Sequence, residues 1–331
     1  MTSQRIAPFR AGRRLVFARH LGELFGQAQA VWWADEPCCL VRSSFDTAAL
    51  VRESTARKSF SGLRASSGGP RLMGMAAPRA GDGLVIVHVH PDGARMVTSR
   101  ADGMVAERTW REGHSDVLLA TDGRRIVHSD SSRTALTCHD SWSLDAPRPW
   151  SLDLVKRALG DVRMHIGGLL DLGDALVIST TDTWSRWRWD GELLACWRAP
   201  GGEYSGPNLL AWHPEGPVVF MQMIDPVTGG TSPHRDGWHL VVWDLKRGTG
   251  RSLGTAYRWP RATRSPDGRW LVADRVTRAG RGLELWDLAS ETLVERLGIR
   301  RHAVQAMAFA PDSAHVAVAT MQDLFVLRVA E

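Results

Sequence analysis

No run of 18 apolar residues occurs in this chain, so no segment of it reads as a membrane-spanning helix. Its four cysteines, Cys38, Cys39, Cys138 and Cys196, include no CxxC spacing and no pattern of a disulfide framework. Cys38 and Cys39 are adjacent, so on a strand they face opposite ways. The opening stretch MTSQRIAPFRAGRRLVFARH is rich in Arg but lacks the apolar core of a signal peptide. These absences lead us to expect four thiols in a reduced, cytoplasmic protein. No long amphipathic helical period appears, which excludes an alternating α/β fold. The nucleophile-elbow pattern GxSxG, the zinc pattern HExxH, the phosphate-binding P-loop and the dinucleotide pattern GxGxxG are all missing. From this we expect no catalytic residue, no cofactor and no metal. His88 and His90 share one face of a strand, as metal ligands can, but the sequence identifies no third ligand for them.

Lysine is scarce, with Lys58, Lys156 and Lys246 alone, so Arg carries the basic charge. The net charge is +5, without a run of five basic residues, and Asp and Glu are interspersed throughout. Nucleic acid is therefore a disfavoured partner, and any such binding is expected to be weak, non-specific and salt-sensitive. Tyrosine is rarer still, 2 residues against 15 Trp. Trp suits β-sheet faces, and these rings are read as filling the layers between sheets rather than as a ligand cage.

What the chain does have is many short β-type runs separated by Pro-, Asp- and Gly-bearing turns. Residues 14–19 form an isolated strand with no hairpin partner. Further groups of runs occupy 28–63, 71–112, 115–160, 164–200, 207–253, 261–297 and 302–331, with one short helical turn at 152–160. Asp-Gly turns cut the runs at 92–93, 102–103 and 122–123, as hairpins require. Around His90-Pro91-Asp92-Gly93 the turn chemistry suggests the first hairpin of a group, whereas the spacing suggests the second.

The clearest groups share an order. A strand leads to a Pro-acid turn, at Pro214-Glu215-Gly216, Pro266-Asp267-Gly268 and Pro311-Asp312. Then come a second strand and a third ending in Trp-Asp, at Trp189-Asp190, Trp243-Asp244 and Trp286-Asp287. Pro214 and Pro266 are 52 residues apart, and Pro266 and Pro311 are 45 apart. Repeats of roughly 40–45 residues with loop insertions are the period of β-propellers, and the chain length accommodates about seven of them.

On these turns and pairs, together with Ala308-Phe309 before the last turn, the chain resembles the WD40 family of β-propellers. The likeness is closest over 207–328 and fair over 164–200. The family's Gly-His dipeptide is missing; His302 occupies about that loop but lies close to Val304. The resemblance implies an all-β fold: a single propeller of four-stranded blades, most readily seven, with six or eight open. The last group has only three strands, over 304–309, 315–319 and 324–329, so 14–19 is expected to complete it by pairing with 324–329. Closure of this kind removes the open sheet edges.

The resemblance also implies a non-enzymatic scaffold that binds a protein or peptide on one face within a larger assembly, as a monomer or a subunit of a hetero-complex. An enzyme of lactonase or lyase type with its site in the central channel is the alternative; nucleic-acid binding by an Arg-bearing face is the third. Within the scaffold reading the pointer to a site is the loop 224–238, which interrupts an otherwise regular group. It carries His234, Arg235, Asp236 and Trp238. In the family layout it shares a face with Glu203 and Tyr204, with Arg275, Arg278 and Arg281, and with Arg300, Arg301 and His302. Asp182 with Trp184 is read as a further loop pair.

Overall fold

In the computed structural model the short apolar runs become 28 strands and one short helix among the described residues. The structure describes residues 13–23, 27–33, 37–42, 48–52, 58–60, 71–76, 85–89, 95–100, 105–109, 114–119, 125–130, 135–140, 148–162, 166–200, 208–213, 218–224, 237–256, 258–299 and 303–330.

In chain order, β1 (Leu15–Glu23) comes first. The next group is β2 (Gln27–Trp33), β3 (Pro37–Arg42), β4 (Ala48–Arg52) and β5 (Lys58–Phe60). Then follow β6 (Arg71–Ala76), β7 (Val85–Val89), β8 (Arg95–Arg100) and β9 (Val105–Thr109). After them come β10 (His114–Leu119), β11 (Arg125–Asp130), β12 (Leu136–Asp140) and β13 (Arg148–Trp150), with α1 (Asp153–Leu159) behind. The fourth group is β14 (Ile166–Asp171), β15 (Ala175–Thr180), β16 (Thr183–Arg188) and β17 (Leu193–Arg198). The fifth is β18 (Asn208–Trp212), β19 (Val218–Ile224), β20 (Trp238–Asp244) and β21 (Thr249–Ala256). The sixth is β22 (Arg258–Arg264), β23 (Trp270–Thr277), β24 (Gly280–Asp287) and β25 (Thr292–Ile299). Last are β26 (Val304–Phe309), β27 (His315–Thr320) and β28 (Asp323–Val329).

Each group of four forms its own antiparallel sheet in sequence order, and the last three strands take β1 as their fourth, in the order β1-β28-β27-β26. The register runs from Leu15 opposite Val329 to Glu23 opposite Asp323. The closing strand is thus longer than the expected 14–19, and two irregularities, between Phe17 and Arg19 and between His20 and Gly22, accommodate the extra length. Around residues 90–94, which lie outside the described set, β7 and β8 pair as the second and third strands of their sheet, so spacing rather than turn chemistry located that hairpin. Trp184 is a strand residue of β16 with no exposed surface, not a loop residue; its indole fills the interior.

The chain divides into two compact units, Met1–Phe60 with Leu210–Glu331, and Ser61–Leu209. In the first, β26 lies beside both β22 and β2; in the second, β10 lies beside both β6 and β14. In these four pairs the first strands of neighbouring sheets run next to one another. The cores lie between successive sheet faces. Leu283 and Leu285 pack with Val316, Val318 and Leu15, joining the β22–β25 sheet to the sheet of β1. Leu240 and Ala256 pack with Leu271 and Trp286, joining β18–β21 to β22–β25. In the second unit Val127 and Leu136 meet Ile166 and Leu176, with Val155 of α1 in the same cluster.

This layering explains the sequence patterns. Second strands are covered on both faces and read as unbroken apolar runs, as in the wholly buried Ala175–Thr180. The outer strand β25 alternates, with Thr292, Val294, Arg296 and Gly298 exposed. One irregularity recurs near the start of the first strand in the sheets beginning with β2, β6, β10, β14, β22 and β26. Bulges at one fixed place raise the twist of each sheet in the same way. No helix among the described residues is long and apolar enough to cross a membrane.

Candidate functional site

The Trp-Asp pairs are built into the turns between third and fourth strands. Asp244 Oδ1 accepts the backbone N–H of Lys246 (2.9 Å) and Arg247 (3.1 Å). Asp287 Oδ1 does the same for Ala289 (3.0 Å) and Ser290 (3.1 Å). Such Asx turns satisfy amides that leave the sheet ladder. Trp286 is buried against the preceding sheet, with its ring over Gly254; Trp243 is only half-buried, and its ring lies over Gly250, the residue opposite it on β21.

The third pair departs from this rule. Trp243 stands opposite Val219 and Trp286 opposite Leu271, each the second residue of the second strand. In the β14–β17 sheet that partner is Leu176, and it faces Trp187, not Trp189. Trp187 has no exposed surface, donates its indole N–H to Ser185 Oγ (2.8 Å) and stacks on Trp150 with centroids 5.6 Å apart. Arg188 stands where the aspartate does in the other two sheets. Trp189 and Asp190 lie beyond, in the turn: Trp189 is buried beneath the Arg125 guanidinium, and Asp190 Oδ1 accepts the Glu192 amide (3.1 Å). The Trp189-Asp190 dipeptide thus lies two residues beyond the register-equivalent tryptophan, Trp187.

The Pro-Asp turns carry their own carboxylate anchors. Asp267 Oδ1 receives the Ser265 hydroxyl (2.5 Å) and the Arg269 amide (3.0 Å), and Gly268 adopts φ 79°, a conformation that favours glycine. Asp312 Oδ1 accepts the amides of Ala314 and His315, and its Oδ2 meets His315 Nδ1 at 2.7 Å. At both aspartates partial burial opposes ionisation, but these hydrogen bonds outweigh it and hold the carboxyl below its usual range.

Of the residues proposed for partner binding, Tyr204, His234, Arg235, Asp236, Arg300, Arg301 and His302 lie outside the described residues. So does Glu203, and so do the side chain of His88 and all of His90. Trp238 and Arg278 are described. Trp238 opens β20 and is partly buried against the Leu240–Trp286 cluster. Arg278 is exposed at the tip of the β23–β24 hairpin. These are equivalent hairpins of neighbouring sheets, and Arg275 joins them by donating to the Thr255 carbonyl of β21 at 3.0 Å.

Beside that hairpin the β22–β25 sheet opens into a cavity of about 190 Å³. Its polar lining is Arg275, Thr277, Arg281, Glu284 and Arg296. Glu284 is 1% exposed. Its Oε1 accepts a hydrogen bond from Arg296 Nε at 2.9 Å and lies 3.1 Å from Arg275 Nε, an ion-pair contact without hydrogen-bond alignment. Gly282 and Gly298 face each other across β24 and β25 in the cavity lining. A Cβ on Gly282 would come within 2.8 Å of the Leu297 carbonyl oxygen, whereas one on Gly298 would meet nothing within 4 Å. The sequence pointed to Arg275, Arg278 and Arg281 here; it missed Glu284 and Arg296, which become neighbours only through the register of β24 on β25.

The second unit holds another polar pair that sequence spacing concealed. His128 of β11 and His139 of β12 are buried, with stacked rings and 2.7 Å between their Nε2 atoms. One ring donates to the other across the strand pair. Among the described residues no three metal-ligating side chains converge.

Comparison with known protein families and with curated proteins finds no match to this chain.

Proposed function

We propose that this chain is a WD40-like β-propeller of seven blades, closed by β1 on β28. In this reading it is a non-enzymatic scaffold of the reducing cytoplasm that binds a protein or peptide partner. Three features support the architecture: four-stranded sheets in sequence order, first strands that run side by side, and cores sandwiched between sheet faces. The recurring irregularity in the first strand points to one repeated unit.

The observation that carries the function is the Arg-bearing opening at the β23–β24 hairpin. Arg278 is exposed at its tip, Arg275 ties it to the neighbouring sheet, and in that sheet the expected 224–238 insertion falls between the paired strands β19 and β20. Arg and Trp are enriched where protein surfaces meet, and loops beyond the needs of a sheet are where binding residues concentrate.

Affinity purification from the native host, with the captured proteins identified, tests this reading. Arg278→Ala and Arg301→Ala should each weaken capture, by about thirtyfold at an anchoring position, while the melting temperature holds. Full capture by both variants and by a deletion of 225–236 would place the binding surface elsewhere.

A further inference from the structure

We propose that the cavity beside the β23–β24 hairpin is a carboxylate-binding pocket, the subsite at which the scaffold receives an acidic side chain of its peptide partner. The inference rests on the scaffold reading above and assigns the chemistry of its ligand.

Charge is the first argument. Arg275 and Arg296 share a sheet face with Glu284 and line the cavity beside it, two guanidinium groups against one carboxylate. Arg278 adds a third at the hairpin tip. Glu284 is spent: it is buried, and its Oε1 already engages two of the arginines.

Donor capacity is the second. Arg296 commits its Nε to Glu284, and its two terminal nitrogens bond nothing among the described residues. Arg278, at the hairpin tip, makes no hydrogen bond or ion pair among them either. Arg275 commits one terminal nitrogen to Thr255. Each uncommitted guanidinium edge is a planar fork that fits a carboxylate.

Shape is the third. The Gly282–Gly298 pair removes two side chains from the cavity wall, and the 2.8 Å approach of the Leu297 carbonyl bars any larger residue at 282. About 190 Å³ is the volume of roughly six waters, enough for the end of an Asp or Glu side chain. The net positive lining draws an anion, and a planar carboxylate matches the planar guanidinium forks edge to edge.

The test is fluorescence anisotropy of the full-length protein with labelled hexaglutamate, hexaglutamine, hexalysine and a phosphoserine hexapeptide. Hexaglutamate should bind, more weakly as salt rises, and the glutamine and lysine peptides should not. Arg296→Lys, which keeps the charge at Glu284 but removes the planar fork, should weaken it about tenfold with the melting temperature unchanged. Gly298→Leu, which keeps every charge but fills the cavity from an open position, should abolish it. Arg247→Ala, at the opposite end of β20, should leave it unchanged. Equal binding by wild type, Arg296→Lys and Gly298→Leu would overturn the pocket, as would tighter binding of the phosphoserine peptide or no binding of hexaglutamate. Binding of hexaglutamine or hexalysine in place of hexaglutamate would discard the carboxylate subsite yet retain a peptide-binding face, so the two readings fail separately.

Discussion

Glu295 holds Leu15 across 280 positions of sequence: its Oε2 accepts the Leu15 backbone N–H. The same carboxylate takes the amides of Arg13 (2.6 Å) and Arg14 (2.8 Å), just ahead of β1. Glu295 belongs to β25, the outer strand of the neighbouring sheet, so one side chain fastens the incoming end of β1 before β1 pairs with β28. Charge-assisted hydrogen bonds to three amides make this more than a surface contact.

The first prediction follows from that fastening. Glu295→Ala should cost about 2 kcal/mol, from the loss of several charge-assisted bonds at a half-exposed site. Deleting residues 1–20 should strip β28 of its partner, bare a sheet edge and give an aggregating protein. Size-exclusion chromatography and thermal melting check both. A truncated protein that stays monomeric at an unchanged melting temperature would refute the role of β1.

The second concerns the tryptophans. Trp286 is 3% exposed and Trp187 not at all, so either change to Ala should cost about 3–5 kcal/mol in denaturant unfolding. Trp243→Ala should cost less, because that ring is only half-buried. Gly250→Ala should itself destabilise by about 1–3 kcal/mol, since its Cβ would fall 2.3 Å from the Trp243 ring. Equal losses at 243 and 286 would mean that burial does not set their worth.

The third is a pH dependence. Asp267 and Asp312 have folded pKa values below the ordinary 3.8. A depressed carboxyl contributes stability that is complete above its unfolded value and is lost as pH falls through the folded one. The melting temperature should therefore fall with acid below about pH 4, and the fall should be shallower in Asp267→Asn and Asp312→Asn. Parallel curves for wild type and variants would contradict the assignment.

The fourth concerns thiols. Cys138 is buried and Cys196 half-buried, both as thiols, and burial raises the Cys196 pKa. Both should react slowly with a thiol reagent in the native protein, because the thiolate is the reactive form. In denaturant without reductant all four cysteines should titrate. A count below four that reductant restores would contradict a reducing compartment.

Much of the β architecture was legible because a strand's period of two and its turn residues are local. The orphan run at 14–19 and the three-stranded last group together implied the β1–β28 pair. Register was not local. Trp189-Asp190 matched by dipeptide, but the residue in the structurally equivalent place is Trp187, which only the pairing with Leu176 reveals. Trp184 looked like a loop residue because Thr181-Asp182-Thr183 reads as a turn, yet the turn is short and Trp184 is already inside β16. At the candidate site Arg275, Arg278 and Arg281 could be read from one hairpin. Glu284 and Arg296 could not, because twelve residues and a strand turn separate them.

Partner binding is proposed at the hairpin end of these sheets. Hydrogen–deuterium exchange on the captured complex tests it most directly. Amides of 225–238 and 277–282 should gain protection relative to the protein alone, while the turns at 245–248 and 288–291, at the opposite end, should exchange unchanged. Protection at those turns, with none at 225–238 or 277–282, would contradict the claim.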